Sequence, residues 1–323
     1  MMRWLFRLGG GLLLALVLLF AGFRVAAWWR EGPVPTPPQM VMVATGYGKV
    51  AVQLSGPETG RRVVLLHGTA AWSGFWRDVS AHLAAQGWRV IAVDTPPFGW
   101  SERDPQARYD RVSQADRLAQ LLRATGGPAI IVGHSFGAGA AVELAAGKDA
   151  ALVDGLILVD AALGTLDPPQ GRGAAAATLS LAPLAQAVIS ASVTNPPLTG
   201  PLLRSFLARK DAADPWLATL KEPMRREGTT AAYAAWLPNL LIVNDGALSR
   251  TRAGLKGIAA PSAIIWGAAD TVTPPAQGKE LERLLNSRSA IYLAGVGHIP
   301  HVEDPKGFQT ALDRSLIAVT RGK

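Results

Sequence analysis

Cysteine is absent from this chain. Disulfides, cysteine-ligated zinc, iron–sulfur clusters and thiol nucleophiles are therefore excluded, and the redox compartment leaves no trace in the sequence. Charge is scarce as well: charged residues make up 17%, and 24 acidic residues face 32 lysines and arginines. Such a basic balance suits a nucleic acid or an anionic membrane surface. The arginines are scattered, however, with only Arg61-Arg62 and Arg225-Arg226 as adjacent pairs, and no basic run is interleaved with aromatics. Nucleic acid is not an expected partner. Phosphate cradles are missing too, because no G-x-x-x-x-G-K-[ST] occurs and Gly133, Gly137 and Gly139 do not make G-x-G-x-x-G. With no H-E-x-x-H and no His/Asp cluster at ligand spacing, neither a metal nor a cofactor is expected.

Apolar residues are plentiful, at 49%, and much of the excess sits at the N-terminus. No charge interrupts Leu8 to Phe23, Arg3 and Arg7 precede that run, and apolar character resumes from Val25 to Trp29. Residues 1–31 are expected to form a membrane anchor helix, with Trp28-Trp29 at the interface and Arg24 snorkelling to the headgroups. The charge bias keeps the N-terminus cytoplasmic and puts the body in the periplasm or outside the cell. The rival reading is a cleaved secretory signal, with Val25-Ala26-Ala27 as the cleavage site. Residues 32–39 are Pro-rich and read as a stiff linker.

Beyond Met40, short β-branched runs alternate with helical stretches, the pattern of βαβ units around a mostly parallel sheet. Eight strands are expected at 41–45, 50–54, 63–67, 90–94, 130–134, 156–160, 263–267 and 290–294. Helices are expected at 74–86, 111–125, 136–146, 276–286 and 305–320. Residues 161–260 hold no convincing strand and read as a helical cap, inserted between core segments 40–160 and 261–323.

Gly133-His134-Ser135-Phe136-Gly137 follows the apolar run Ala129 to Val132 and precedes a helical Ala-rich stretch. This is G-x-S-x-G in a strand–turn–helix setting, where small neighbours let the helix pack closely behind a nucleophile. A serine hydroxyl needs a base, and the base needs an orienting acid. Asp270 follows the expected strand at 263–267 and His298 the one at 290–294, in the chain order Ser, Asp, His. Asp160, which ends another strand, competes for the acid role. His67, His134 and His301 read as loop-structuring or packing residues, and Asp94 as a loop organiser.

With these residues in place the sequence resembles the capped esterase, lipase and C–C hydrolase group of the α/β-hydrolase fold family. His67-Gly68 is similar to the family's oxyanion-loop motif, residues 94–101 (DTPPFGWS) to its D-x-P-G-x-G-x-S loop with Pro97 in place of the first glycine, and residues 297–305 to its histidine segment. The resemblance implies an eight-stranded, mostly parallel sheet flanked by helices, an acyl-serine intermediate on Ser135, and an oxyanion hole of backbone N–H groups from Phe136 and Thr69, with Ala70 as the alternative.

Within the cap, no charge falls between Arg172 and Arg204, and Pro183, Pro196, Pro197 and Pro201 exclude one continuous helix. That segment either packs on the core or lines an acyl pocket or touches the membrane. Trp216, Tyr233 and Trp236 are candidate substrate-binding residues. The expected function is hydrolysis of a small ester or lipid-like substrate by a membrane-tethered enzyme. The alternatives are C–C bond hydrolysis or perhydrolysis with the same triad, and a catalytically silent binding protein. Oligomeric state is not legible.

Overall fold

The computed structural model describes residues 2–168, 174–241 and 246–321. Of the expected cap, 169–173 (with Arg172) and 242–245 lie outside the described residues. The sheet has eight strands: β1 (Met40–Thr45), β2 (Gly48–Ser55), β3 (Arg62–Leu66), β4 (Arg89–Val93), β5 (Ala129–His134), β6 (Val153–Val159), β7 (Ser262–Gly267) and β8 (Ser289–Leu293). Their spatial order is β1-β2-β4-β3-β5-β6-β7-β8. Only the β1/β2 and β2/β4 pairs are antiparallel; every other neighbouring pair is parallel.

The helices are α1 (Met2–Arg30), α2 (Arg77–Ala85), α3 (Arg111–Ala124), α4 (Gly137–Ala146), α5 (Ala174–Leu179), α6 (Ala182–Ala191), α7 (Pro196–Ser205), α8 (Leu217–Lys221), α9 (Thr229–Leu241), α10 (Arg252–Lys256), α11 (Pro275–Leu284), α12 (Pro300–Glu303) and α13 (Pro305–Thr320). Helices cover both faces of the central strands, so β5 is buried at every position and needs an unbroken apolar run rather than an alternating one. One core joins Val64, Ile131, Leu158 and Ile264 to α3, α4 and α11. The opposite core joins Val63, Ile130, Ile157 and Ile265 to α2 and α13 through Leu83 and Phe308. Burying each such aliphatic side chain contributes roughly 1.5–3 kcal/mol before chain entropy is charged against it.

A third apolar cluster welds the cap to the core: Phe75, Phe98, Trp100 and Tyr109 pack against Ile189, Leu203, Trp216, Tyr233 and Trp236. Arg226 fastens the same junction. Its guanidinium donates to the Gly99 and Ser101 carbonyls and faces the Trp100 ring, 5.5 Å from the centroid.

The N-terminal expectation is corrected. Among the described residues no helix is long and apolar enough to cross a membrane, so the expected single-pass anchor, with the placement of the body outside the cytoplasm that depended on it, is not supported. The uncharged run from Leu8 to Phe23 covers only about 24 Å as helix, short of the roughly 30 Å hydrocarbon layer. The C-terminal end of α1 instead belongs to the fold. Ala27 is buried, and Arg30 Nη2 donates to the Thr194 carbonyl at 2.9 Å. Just past the helix, the Glu31 carboxylate accepts from the N–H and the hydroxyl of Thr230. Gly32 then exchanges backbone hydrogen bonds with Arg225 and Glu227.

Candidate active site

Ser135 leaves the carboxyl end of β5 and turns immediately into α4. Its φ is +49°, in the left-handed region that a residue with a Cβ enters only at a cost of roughly 1–2 kcal/mol. Two bonds from the β6 end hold the turn: Ser135 N–H donates to Val159 O and Ala162 N–H to Ser135 O, both at 3.0 Å. Close approach is what the flanking glycines supply. A Cβ on Gly137 would lie 2.6 Å from the His67 carbonyl oxygen, and one on Gly68 would lie 2.8 Å from the His134 ring and 3.1 Å from Ser135 Cβ.

His298 follows β8, and its Nε2 lies 2.8 Å from Ser135 Oγ. Its Nδ1 lies 2.8 Å from Asp270 Oδ2. The loop that carries it is held from both sides. His134 Nε2 donates to the His298 carbonyl at 2.8 Å, and His298 N–H donates to Phe206 O in the cap at 2.9 Å. The buried Glu303 carboxylate accepts from Gly297 N–H and from Arg209 N–H, each at 2.8 Å, tying the histidine loop to the cap.

Asp270 follows β7. Its Oδ1 accepts from the N–H groups of Val272 and Thr273 at 2.7 and 3.0 Å, and its Oδ2 accepts from Thr273 Oγ1 at 2.6 Å. Burial alone would raise its pKa, but the His298 ring and the Thr273 hydroxyl outweigh that effect and hold it down to about 2. Thr273 also lies 3.2 Å from His298 Nδ1. Sequence reasoning missed Thr273 and Glu303, since each looks like an ordinary loop or helix-end residue until the fold brings it to the site.

The three residues Ser135, Asp270 and His298 thus meet at the carboxyl ends of parallel strands. Thr69 lies on the cavity wall beside Ser135. Phe136 is the N-cap of α4, where the backbone N–H has no intrahelical partner. Asp160, the competing acid, is completely buried behind Asp270. Trp216, Tyr233 and Trp236 do not line the cavity at Ser135. Trp216 packs on Phe75 and under the Arg77 guanidinium, while Tyr233 and Trp236 stack edge-on against Phe98.

That cavity has a volume of about 200 Å³ and is walled by Phe75, Val193, Leu202, Leu203, Met224 and Ile299, among others. Val193, Leu202 and Leu203 come from the uncharged cap segment. Among the described residues no lysine, arginine, aspartate or glutamate lines it.

His67, the first residue after β3, accepts at Nε2 from Thr95 N–H (2.9 Å), and its Nδ1 faces the Gly68 carbonyl at 2.7 Å. Burial pushes its pKa down to about 4, against a smaller upward pull from that carbonyl, so the ring stays neutral where a free histidine would charge. Its contribution to stability is complete above pH 6.5 and is lost progressively as pH falls from there towards 4, by up to about 3 kcal/mol. A His67→Gln variant has no such loss. The stability gap between wild type and His67→Gln, measured by urea unfolding, is therefore expected to narrow between pH 7 and pH 4; a gap that stays constant would refute the buried neutral ring.

The fold and this strand–turn–helix serine define a class that the comparisons with known proteins match. The chain belongs to the alpha/beta hydrolase family, whose profile matches residues 63–310. It is 27% identical over 306 residues to "Putative hydrolase LipZ" of Mycobacterium tuberculosis, covering 90% of this chain and 97% of that protein. It is 28% identical over 264 residues to the pimeloyl-[acyl-carrier protein] methyl ester esterase of Neisseria meningitidis, covering 81% and 95%. Among solved structures, a bacterial membrane phospholipase A shares the fold with a TM-score of 0.69 at 23% identity, each chain fully covered.

Proposed function

We propose that this hydrolase cleaves carboxylic esters of uncharged, apolar acyl groups through an acyl-serine intermediate. The observation that carries the reading is the continuous contact Ser135 Oγ to His298 Nε2 to Asp270 Oδ2, 2.8 Å at each step, opening on an apolar cavity. In the reaction His298 Nε2 takes the proton from Ser135 Oγ as the oxygen attacks the ester carbonyl. The imidazolium that forms is stabilised by Asp270, through Nδ1–H to Oδ2. Negative charge developing on the carbonyl oxygen falls to the N–H groups of Phe136 and Thr69, fixed dipoles that need no reorganisation. His298 then passes its proton to the departing alcohol. Water, deprotonated in turn by His298, attacks the acyl-enzyme, releasing the acid and restoring Ser135.

The similarity to a methyl ester esterase supports ester chemistry. Solved neighbours also include a 2-hydroxy-6-oxo-6-phenylhexa-2,4-dienoate hydrolase, whose substrate carries a carboxylate. A cavity with no lysine or arginine on its described walls offers no counter-charge for such a group and would pay heavily to desolvate it, which favours neutral acyl chains. The test is an activity profile across p-nitrophenyl esters of increasing chain length, together with fluorophosphonate labelling mapped by peptide mass. Turnover of neutral acyl esters and label on Ser135 are the expected results. Label on another serine would sink the reading by placing the nucleophile elsewhere, and a folded protein inert to every ester and to the label would leave a binding protein in its place.

A further inference from the structure

Behind the Asp270–His298 pair lies a second carboxylate that the mechanism does not use. Asp160 directly follows β6, its side chain wholly enclosed. One oxygen of Asp160, one of Asp270 and a ring nitrogen of His298 all lie within 4.8 Å of one another. The backbone fixes Asp160 at this place. Its φ is +42°, its N–H donates to Ile265 O at 3.1 Å, and its carbonyl oxygen lies 3.2 Å from Thr273 Oγ1.

The two carboxylates are solvated very differently. Asp270 accepts from two backbone N–H groups, the Thr273 hydroxyl and His298. Asp160 Oδ1 accepts from Gly267 N–H alone, at 2.8 Å, and Oδ2 meets no N–H or hydroxyl donor among the described residues. Two anions so close in a dry interior repel strongly, and one proton between them removes the repulsion. That proton belongs on the acid with fewer donors, where it also gives the orphaned Oδ2 something to donate.

We propose that Asp160 is held as a neutral carboxylic acid whose Oδ2–H donates to the Asp270 carboxylate, making Asp160 a positioning residue for the Asp270–His298 pair. Burial, reinforced by the neighbouring acids Asp270 and Glu303, holds its carboxyl well above the ordinary carboxylate range, against the pull of Gly267 N–H. The consequence for Asp270 is a fifth donor. It favours the ionised form, and it fixes the carboxylate plane so that Oδ2 stays aimed at Nδ1. Asp160 never touches substrate. Its effect on rate rests on the reading of Ser135, His298 and Asp270 given above.

Three measurements test this. Asp160→Asn keeps an acceptor for Gly267 N–H and a donor for Asp270, and is expected to retain kcat/KM within roughly threefold on a good p-nitrophenyl ester. Asp160→Ala removes the donor. It is expected to lower kcat roughly tenfold to a hundredfold with KM little changed, and to move the acid limb of the pH–rate profile upward, because Asp270 then carries more negative charge toward His298. Infrared difference spectra of wild type against Asp160→Asn, taken at pH 8, are expected to show the carbonyl stretch of a protonated carboxylic acid only in the wild type. Asp160→Asn as damaging as Asp270→Asn would overturn the proposal, because it would mean that Asp160 works as an anion. Absence of the infrared band would overturn it too, as would a folded Asp160→Ala with unchanged kcat and acid limb. If Asp160→Ala does not fold, the other two measurements decide. The infrared band needs no turnover, so a failure of Ser135 to take the fluorophosphonate would overturn the catalytic reading while the shared proton was still judged on its own.

Discussion

Ser135→Ala is expected to lower kcat/KM for p-nitrophenyl esters by about five to six orders of magnitude and to abolish fluorophosphonate labelling. Alanine keeps the Cβ, so the +49° turn and its bonds to the β6 end are retained. Thermal unfolding should therefore stay close to wild type, and that measurement separates lost chemistry from lost structure. On the proposed mechanism the backbone N–H groups of Phe136 and Thr69 are untouched by the substitution, and they set the floor of activity. A variant that kept a tenth of wild-type turnover would show that the nucleophile is elsewhere.

Asp270→Asn is expected to cost about four orders of magnitude in kcat, for a reason written in the hydrogen bonds around it. The N–H groups of Val272 and Thr273 both point at Oδ1. They will hold the amide oxygen of asparagine on their side and turn its NH2 towards His298. His298 Nδ1 must then accept, which moves the ring proton to Nε2, the atom that has to take the proton from Ser135. The hydroxyl of Thr273, 2.6 Å from Oδ2, must also reorient, because it now meets a donor. Steady-state kinetics on the same esters checks this. Loss of less than tenfold would leave Asp270 without the role assigned to it.

The candidate residues Ser135 and Asp270 were legible in the sequence because each follows a fully buried strand, and buried parallel strands announce themselves as unbroken apolar, β-branched runs. Ile130 to Val132 point to Ser135 and Ile264-Ile265 to Asp270, while His298 follows the half-buried edge strand β8, whose signal is the shorter run Ala290 to Leu293. All eight strands and the five core helices lie within a few residues of where the runs put them. Residues that act through long-range geometry were not legible. Thr273 is a loop threonine until its hydroxyl meets Asp270, and Glu303 a helix-end acid until it caps Gly297 and Arg209. Aromatic side chains in the cap serve packing as readily as recognition. Trp216, Tyr233 and Trp236 went into the cap–core junction, while aliphatic residues such as Leu202, Leu203 and Met224 line the cavity. The N-terminal run reads as a span because hydropathy counts apolar residues, whereas its uncharged stretch is too short as helix to cross a bilayer and Arg30, beyond it, bonds the Thr194 carbonyl.

The insertion of the cap between β6 and β7 also fixes the order in which the site can be completed. Leu156 pairs with Ser262 and Val159 with Ile265, so about a hundred residues must be looped out before those edges meet. During synthesis Ser135 and its turn emerge early, with β6 as the exposed margin of an unfinished parallel sheet. Every residue from Gly155 to Val159 is buried in the finished fold, which makes that margin a sticky template until β7 covers it. Asp270 and His298 arrive with β7 and β8, so the strand that shields the nascent sheet from aggregation also delivers Asp270, and on the proposed mechanism Ser135 stays inert until both strands have docked.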